Sequence, residues 1–366
     1  MRSAGLALCV LFVGGCWDDS GKPATLERLG KELYFDKNLS TPAGQACAAC
    51  HEPAAGFADP NRTLPVSQGV HKDRFGNRNS PSSAYAAFSP PFQFDAKEGV
   101  YFGGQFWDGR AKDLVEQAKG PFLNALEMAN PDKAAVVSSV RKAEYASAFR
   151  AVFGEDSLDV VDQAYELIAQ AIAAFEKSSE VNKFSSKYDL HLAGKASLTD
   201  QEKRGLALYE SDQKGKCAAC HPSKPTTENP KPLFTDFTYD NLGVPRNPQS
   251  PFYNLPREFN PDGAAFVDLG LGGVLKNSQH NGKMKVPTLR NIALTGPYMH
   301  NGVFRTLREV VEFYSTRDTD TKWGKPEVAE NVNTDELGKL GLTSAEIDDI
   351  VAFLNTLTDG YQLPTR

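Results

Sequence analysis

Cys47-Ala48-Ala49-Cys50-His51 and Cys217-Ala218-Ala219-Cys220-His221 are two copies of one C-x-x-C-H pattern in a chain of 366 residues. The spacing has a chemical reason. Two thiols three residues apart can each form a thioether with one vinyl group of a porphyrin, and the adjacent imidazole then lies under the iron as an axial ligand. The pattern therefore predicts two covalently bound c-type haems, held by Cys47, Cys50 and His51 and by Cys217, Cys220 and His221. Two other readings compete, a zinc site assembled from both cysteine pairs and a thioredoxin-like dithiol. Zinc does not explain a histidine after the second cysteine in both copies, and a redox dithiol belongs in a βαβ pattern that this sequence lacks.

Working outward, Arg2 precedes an apolar run from Ala4 to Val13, too short to span a bilayer but suited to a signal peptide over residues 1–16. Val13-Gly14-Gly15-Cys16 resembles a lipobox, which would make Cys16 a lipid anchor and discard Cys9. An ordinary cleaved signal at the same place is the other reading. Both predict a periplasmic protein. The remaining four of the six cysteines are committed to haem, which leaves none for a disulfide. No later stretch is long and apolar enough for a transmembrane helix.

The two motifs divide the mature chain into halves of comparable size, with one haem each: an N-terminal domain over 24–194 and a C-terminal domain over 195–358, meeting near Gly194. The formal net charge of −6, without a Lys/Arg block, argues against nucleic acid or an anionic membrane surface as partner. Thr199 with Glu202, Thr306 with Glu309 and Thr343 with Glu346 are capping-box signatures of helix starts. After the last, Ile347, Ile350, Val351, Leu354 and Leu357 fall on one helical face, as do residues from Val160 to Phe175 in another segment. Asn130-Pro131 reads as a cap followed by a first-turn proline. Strand signals are sparse, and eleven of the 23 prolines fall between Pro222 and Pro297. The expected fold is mainly α, two cytochrome c-like haem domains with long irregular loops packed around the porphyrins.

Further motifs bring the chain to a known family. Gln105-Phe106-Trp107-Asp108-Gly109-Arg110, then Gln117 and Glu127-Met128, then Val286-Pro287-Thr288-Leu289-Arg290-Asn291 and Leu294-Thr295-Gly296-Pro297-Tyr298-Met299-His300 closely resemble the bacterial di-haem cytochrome c peroxidase and MauG family, from about Leu26 to Leu357. The resemblance implies that Trp107 lies between the haems and carries charge, that Gln117 is the distal glutamine, and that Glu127 is the distal glutamate acting on hydrogen peroxide at the first haem. Chemically, a carboxylate there can move a proton between the peroxide oxygens, and an amide can orient peroxide or water. Without the resemblance, Glu127 and Gln117 would read as solvated residues and Trp107 as core. The resemblance also implies a calcium site from Asn79 with the carbonyls of Thr295 and Pro297, a set of oxygen ligands that suits this ion. His71 lies near the position of a resting-state ligand in the peroxidases, and His300 near the first haem. His191 and His280 read as solvated surface residues.

The sixth position of the second haem separates two branches of the family. The peroxidases use a methionine about nineteen residues after the threonine of the Leu-Thr-x-Pro-Tyr motif, whereas MauG uses a tyrosine. Counting from Thr295 reaches Tyr314, on a helical face with Leu307, Val310 and Val311. A phenolate stabilises ferric and higher states, while a thioether raises the potential. The resemblance thus implies a MauG-like oxidoreductase that uses hydrogen peroxide to oxidise a periplasmic protein partner. A conventional peroxidase with Met284 or Met299 as ligand, and a non-enzymatic electron carrier, are the alternatives. One feature departs from MauG: Gly215 stands where MauG carries a surface tryptophan two residues before its second motif.

Overall fold

Thr199, Thr306 and Thr343 each accept the backbone N–H of the glutamate three residues on, and each glutamate carboxylate returns to the threonine backbone. The three expected helix starts are thus closed reciprocally. A fourth box, Ser186 with Asp189, uses the shorter residue of each pair. The computed structural model describes residues 24–227 and 230–363, so the expected leader over 1–16 and the Cys16 anchor lie outside the described residues.

The N-terminal helices are α1 (Leu26–Phe35), α2 (Cys47–Cys50), α3 (Leu114–Leu123), α4 (Lys133–Lys142), α5 (Ala146–Phe153) and α6 (Val161–Lys177). They are followed by α7 (Lys187–Leu192), α8 (Asp200–Tyr209), α9 (Leu271–Leu275), α10 (Leu307–Thr316) and α11 (Ser344–Asn355). Two antiparallel pairs, β1 (Gln93–Asp95) with β2 (Val100–Phe102) and β3 (Tyr239–Asp240) with β4 (Met284–Lys285), are the sheet structure of the described residues. The protein is mainly helical, with long loops. No helix of the described residues is long and apolar enough to cross a membrane.

Each haem motif is preceded by a helix that crosses the last helix of its half, α1 on α6 and α8 on α11. The crossings are close because each carries a glycine. A Cβ on Gly30 would fall 1.8 Å from the carbonyl oxygen of Ala171, and one on Gly205 would fall 1.9 Å from that of Asp349. Four residues after each glycine stands a buried tyrosine, Tyr34 or Tyr209, whose ring meets a phenylalanine of the crossing helix edge-on. The centroids are 5.1 Å apart for Tyr34 and Phe175 and 5.0 Å for Tyr209 and Phe353. The two halves are therefore built on one repeated frame. Gly205→Ala is expected to force α8 from α11 and cost about 1–3 kcal/mol as overpacking; an unchanged melting temperature would contradict this packing.

One buried cluster gathers residues from Leu29 to Val181 with Leu233, and a second gathers Tyr188 to Leu357. Core membership changes over between Val181 and Tyr188, a few residues ahead of the division expected at 194/195. Two local expectations are corrected. Asn130 does not cap a helix: Asp132 does, accepting from Ala135, while the buried Asn130 amide donates to the Leu39 and Phe122 carbonyls. Val160 is 59% exposed because it is the N-cap of α6 and precedes the inward-facing stripe.

Candidate functional site

In both motifs the chain makes one turn that returns the histidine N–H to the carbonyl of the first cysteine, at 3.0 Å for His51 and 2.9 Å for His221. The ring Nδ1 then meets a backbone carbonyl of a phenylalanine, Phe57 at 3.2 Å and Phe234 at 2.7 Å. Both phenylalanines have left-handed backbone, with φ of 59° and 54°. That conformation turns the carbonyl under the imidazole. Tyr34 and Tyr209 donate to the carbonyls of His51 and His221, at 3.2 Å and 2.6 Å. With Nδ1–H committed as donor, Nε2 is left as the nitrogen for a metal. Burial lowers the pKa of both imidazoles and so favours their neutral, ligating form.

The cysteines fit thioethers better than a zinc or redox site. Cys47 packs on the first buried cluster and Cys217 on the second, so the pairs do not converge. Burial pushes the thiols of Cys50, Cys217 and Cys220 up to about 12, and that of Cys47 higher, which disfavours the thiolate needed for either alternative.

A cavity of about 250 Å³ borders Cys217, Cys220 and His221. Leu307, Val310, Val311 and Tyr314 of α10 all line it, so the face read from the sequence is the one turned inward. The Tyr314 hydroxyl makes no hydrogen bond among the described residues. Its ring is only half-buried because it borders the cavity; burial elsewhere, then Cys217, Cys220 and Asp240, push the phenol well above its ordinary range. A phenol without a partner that borders the same cavity as the His221 imidazole fits a metal-bound sixth position, where a cation reverses that electrostatic cost. Met284 and Met299 border the same cavity.

Trp107 forms another part of the cavity wall. Its Nε1 donates to the carbonyl of Asn79 at 2.8 Å, and its carbonyl accepts from the Lys285 N–H at 2.7 Å. Asn79 receives its own order from the C-terminal half, donating its N–H to the His300 carbonyl at 2.7 Å. Asn79, Thr295 and Pro297 all line this cavity, and the Asn79 Oδ1 and the carbonyls of Thr295 and Pro297 accept no hydrogen bond among the described residues. Three free oxygens suit a hard cation.

Glu127 sits in the turn after α3, where Asn124 Nδ2 donates to Glu127 Oε1 at 2.8 Å. Its backbone carbonyl accepts from Val70, so the loop carrying His71 passes over it at 2.8 Å. Burial is the main reason the Cys47 and Cys50 thiols are raised, and the Glu127 carboxylate adds a smaller upward push to each, which puts it within electrostatic reach of the first motif. Burial raises Glu127 above the ordinary carboxylate range, and the guanidinium of Arg110 partly opposes this. Gln117 is half-buried on α3, with its amide unbonded among the described residues, and so is the His71 ring. His300 is buried with Nε2 unpartnered. His191 and His280 are half-buried rather than solvated: His191 meets the Ala196 carbonyl and His280 lies edge-on to Tyr101.

The model of the family described as di-haem cytochrome c peroxidase matches residues 24–197. Methylamine utilization protein MauG of Paracoccus denitrificans (strain Pd 1222) is 40% identical over 380 residues, 98% of this chain and 96% of the relative. The chain belongs to the di-haem cytochrome c peroxidase and MauG family. Cytochrome c551 peroxidase of Nitrosomonas europaea is 32% identical over 336 residues, 92% of this chain and 80% of the relative. Among solved structures, the diheme peroxidase BthA from Burkholderia thailandensis E264 superposes with a TM-score of 0.80 at 36% identity, covering 91% of this chain and 86% of that one. This member of the family is thus a di-haem, peroxidase-type oxidoreductase, and its two motif turns, the burial that disfavours protonation of both histidines and the cavity beside His221 fit the haems.

The tyrosines and carbonyls that orient the histidines were not among the sequence candidates. Their signal was present as Gly-x-x-x-Tyr ahead of each motif, at Gly30 to Tyr34 and Gly205 to Tyr209.

Proposed function

We propose that this chain is a periplasmic MauG-like enzyme, using hydrogen peroxide at the haem of His51 to oxidise a side chain of a protein partner. The observation that carries the reading is the unpartnered Tyr314 hydroxyl bordering the same cavity as His221. When bound, the two haems supply one iron accessible to peroxide and one that shares the oxidising equivalents. Glu127 would take a proton from bound peroxide and return it to the departing oxygen. Its raised pKa keeps proton return easy, while Arg110 keeps the ionised form within reach. Gln117 orients peroxide or water by its free amide. Trp107, fixed through Nε1 by the Asn79 carbonyl, couples the two sites. Two electrons and two protons taken from the partner's side chain convert one peroxide to two waters.

Gly215 leaves the exit route different from that of MauG, so the partner need not be the same protein. The second reading, a conventional peroxidase fed by a small redox protein, is favoured by Met284 and Met299 at the same cavity. One equivalent of peroxide added to the ferric protein distinguishes them. The MauG-like reading predicts that the absorption of both haems changes together without prior reduction; a response only after one haem is reduced would favour the peroxidase.

Asn79, Thr295 and Pro297 are the proposed calcium ligands. Because the Asn79 carbonyl also fixes Trp107, removing calcium with a chelator is expected to alter tryptophan fluorescence and slow communication between the haems, with recovery on adding calcium back. No change in either signal would remove the site.

A further inference from the structure

Where the two halves share a frame, they differ beside the tyrosine. One residue after Phe175 stands Glu176, and one residue after Phe353 stands Leu354. Likewise Ser83 follows Pro81 by two residues, as Leu289 follows Pro287. The first half has a carboxyl and a hydroxyl where the second has two leucines.

Glu176 is 5% exposed, and its Oε2 has no hydrogen-bond partner. Against the effect of burial, the neighbouring Ser83 side chain favours the ionised carboxyl. The Ser83 hydroxyl meets that of Tyr34 at 3.2 Å, and Tyr34 meets the His51 carbonyl at the same distance. Ser83 also donates its N–H, at 2.9 Å, to the Phe57 carbonyl that holds His51 Nδ1. Ser83 therefore touches both bonds that orient the histidine. A carbonyl shared between two donors gives less to each, in keeping with the longer imidazole contact in the first half than in the second, 3.2 Å against 2.7 Å.

We propose that Glu176 is a positioning residue for the first haem, acting through Ser83 and Tyr34 on His51, and that it couples that haem, but not the second, to one proton. Each hydroxyl has one hydrogen, so the chain has two polarities. With Glu176 protonated, the acid donates to Ser83, Ser83 to Tyr34 and Tyr34 to the His51 carbonyl. With Glu176 ionised, Ser83 donates to the carboxylate and Tyr34 to Ser83, and the His51 carbonyl loses its donor. Reduction of the iron removes positive charge nearby and favours the protonated form, so an electron gained by the haem is accompanied by a proton taken from solvent. The charged and polar groups coupled electrostatically to the carboxyl are Tyr34 of α1, the Cys47 sulfur, Ser83 and, exposed on its own helix, Lys177. Burial, against weaker opposing effects of Ser83 and Lys177, pushes the carboxyl up to about 8, so the switch between polarities falls near physiological pH.

The inference rests on haem attachment at His51, which the absorption spectrum reports separately. The midpoint potential of each haem is measured against pH in the holoprotein carrying Glu127→Gln, so that the distal carboxyl does not contribute, with and without Glu176→Gln. The first haem is expected to take up one proton per electron over a window around pH 8, and Glu176→Gln to abolish this while leaving the second haem unchanged. The same pH dependence with and without Glu176→Gln overturns the proposal. If that variant does not load haem, the reduced-minus-oxidised infrared spectrum of the wild-type protein decides. A protonated-carboxyl band that shifts in deuterium oxide and moves in Ser83→Ala is expected, and the absence of any such band overturns the proposal.

Discussion

Glu127→Gln is expected to slow the reaction of the ferric protein with hydrogen peroxide by about 10²–10⁴-fold, the usual contribution of a positioned acid–base group, without loss of either haem. The substitution preserves shape. Asn124 Nδ2 still finds an oxygen at position 127, and the loop carrying Val70 and His71 is held by the backbone carbonyl, which the change does not touch. What disappears is a site that exchanges a proton. The pH profile supplies a second check, with its sign fixed by burial. A carboxyl raised above its ordinary range keeps its proton to higher pH, so the wild-type rate should fall as pH drops through that raised value. Stopped-flow measurements that find equal rates, or a profile without this acidic limb, would dismiss Glu127 as the base.

Tyr314→Phe is expected to change the second haem most. The variant keeps the ring that lines the cavity along with Leu307, Val310 and Val311 but removes its hydroxyl oxygen. The haem of His221 should then lose its low-spin His/Tyr signature, and the two haems should no longer respond together to peroxide. Tyr314→Met should instead keep a six-coordinate haem and raise its potential, because a thioether favours the ferrous state where a phenolate favours the ferric. A spectrum unaffected by Tyr314→Phe would move the ligand to Met284 or Met299 and the chemistry towards a conventional peroxidase.

How much of this was legible depends on the range of the interaction. The haem motifs and the three capping boxes are local, set by residues within four positions, and could be read directly. The face of α10 was legible because a helical period is also local. Asn130 was misread because a cap signal competes with a tertiary use of the same amide: the carbonyls of Phe122 in α3 and of Leu39, far away in the sequence, draw it from the adjacent helix, which Asp132 was already able to cap. Glu176 was invisible for a related reason. On the sequence it continues the regular stripe of α6, and only the crossing with α1 through Gly30 shows that its carboxyl ends among Tyr34 and Ser83. Trp107, Gln117 and Glu127 came from resemblance. Their ten-residue spacing spans a loop, a helix and a turn and follows no single period.

An electron paramagnetic resonance spectrum of the resting ferric protein, taken with its absorption spectrum, tests the whole reading at once. One high-spin signal from the haem of His51 beside one low-spin signal of histidine–phenolate type from the haem of His221 is the predicted result. Two low-spin signals, with no change on adding peroxide, would contradict it.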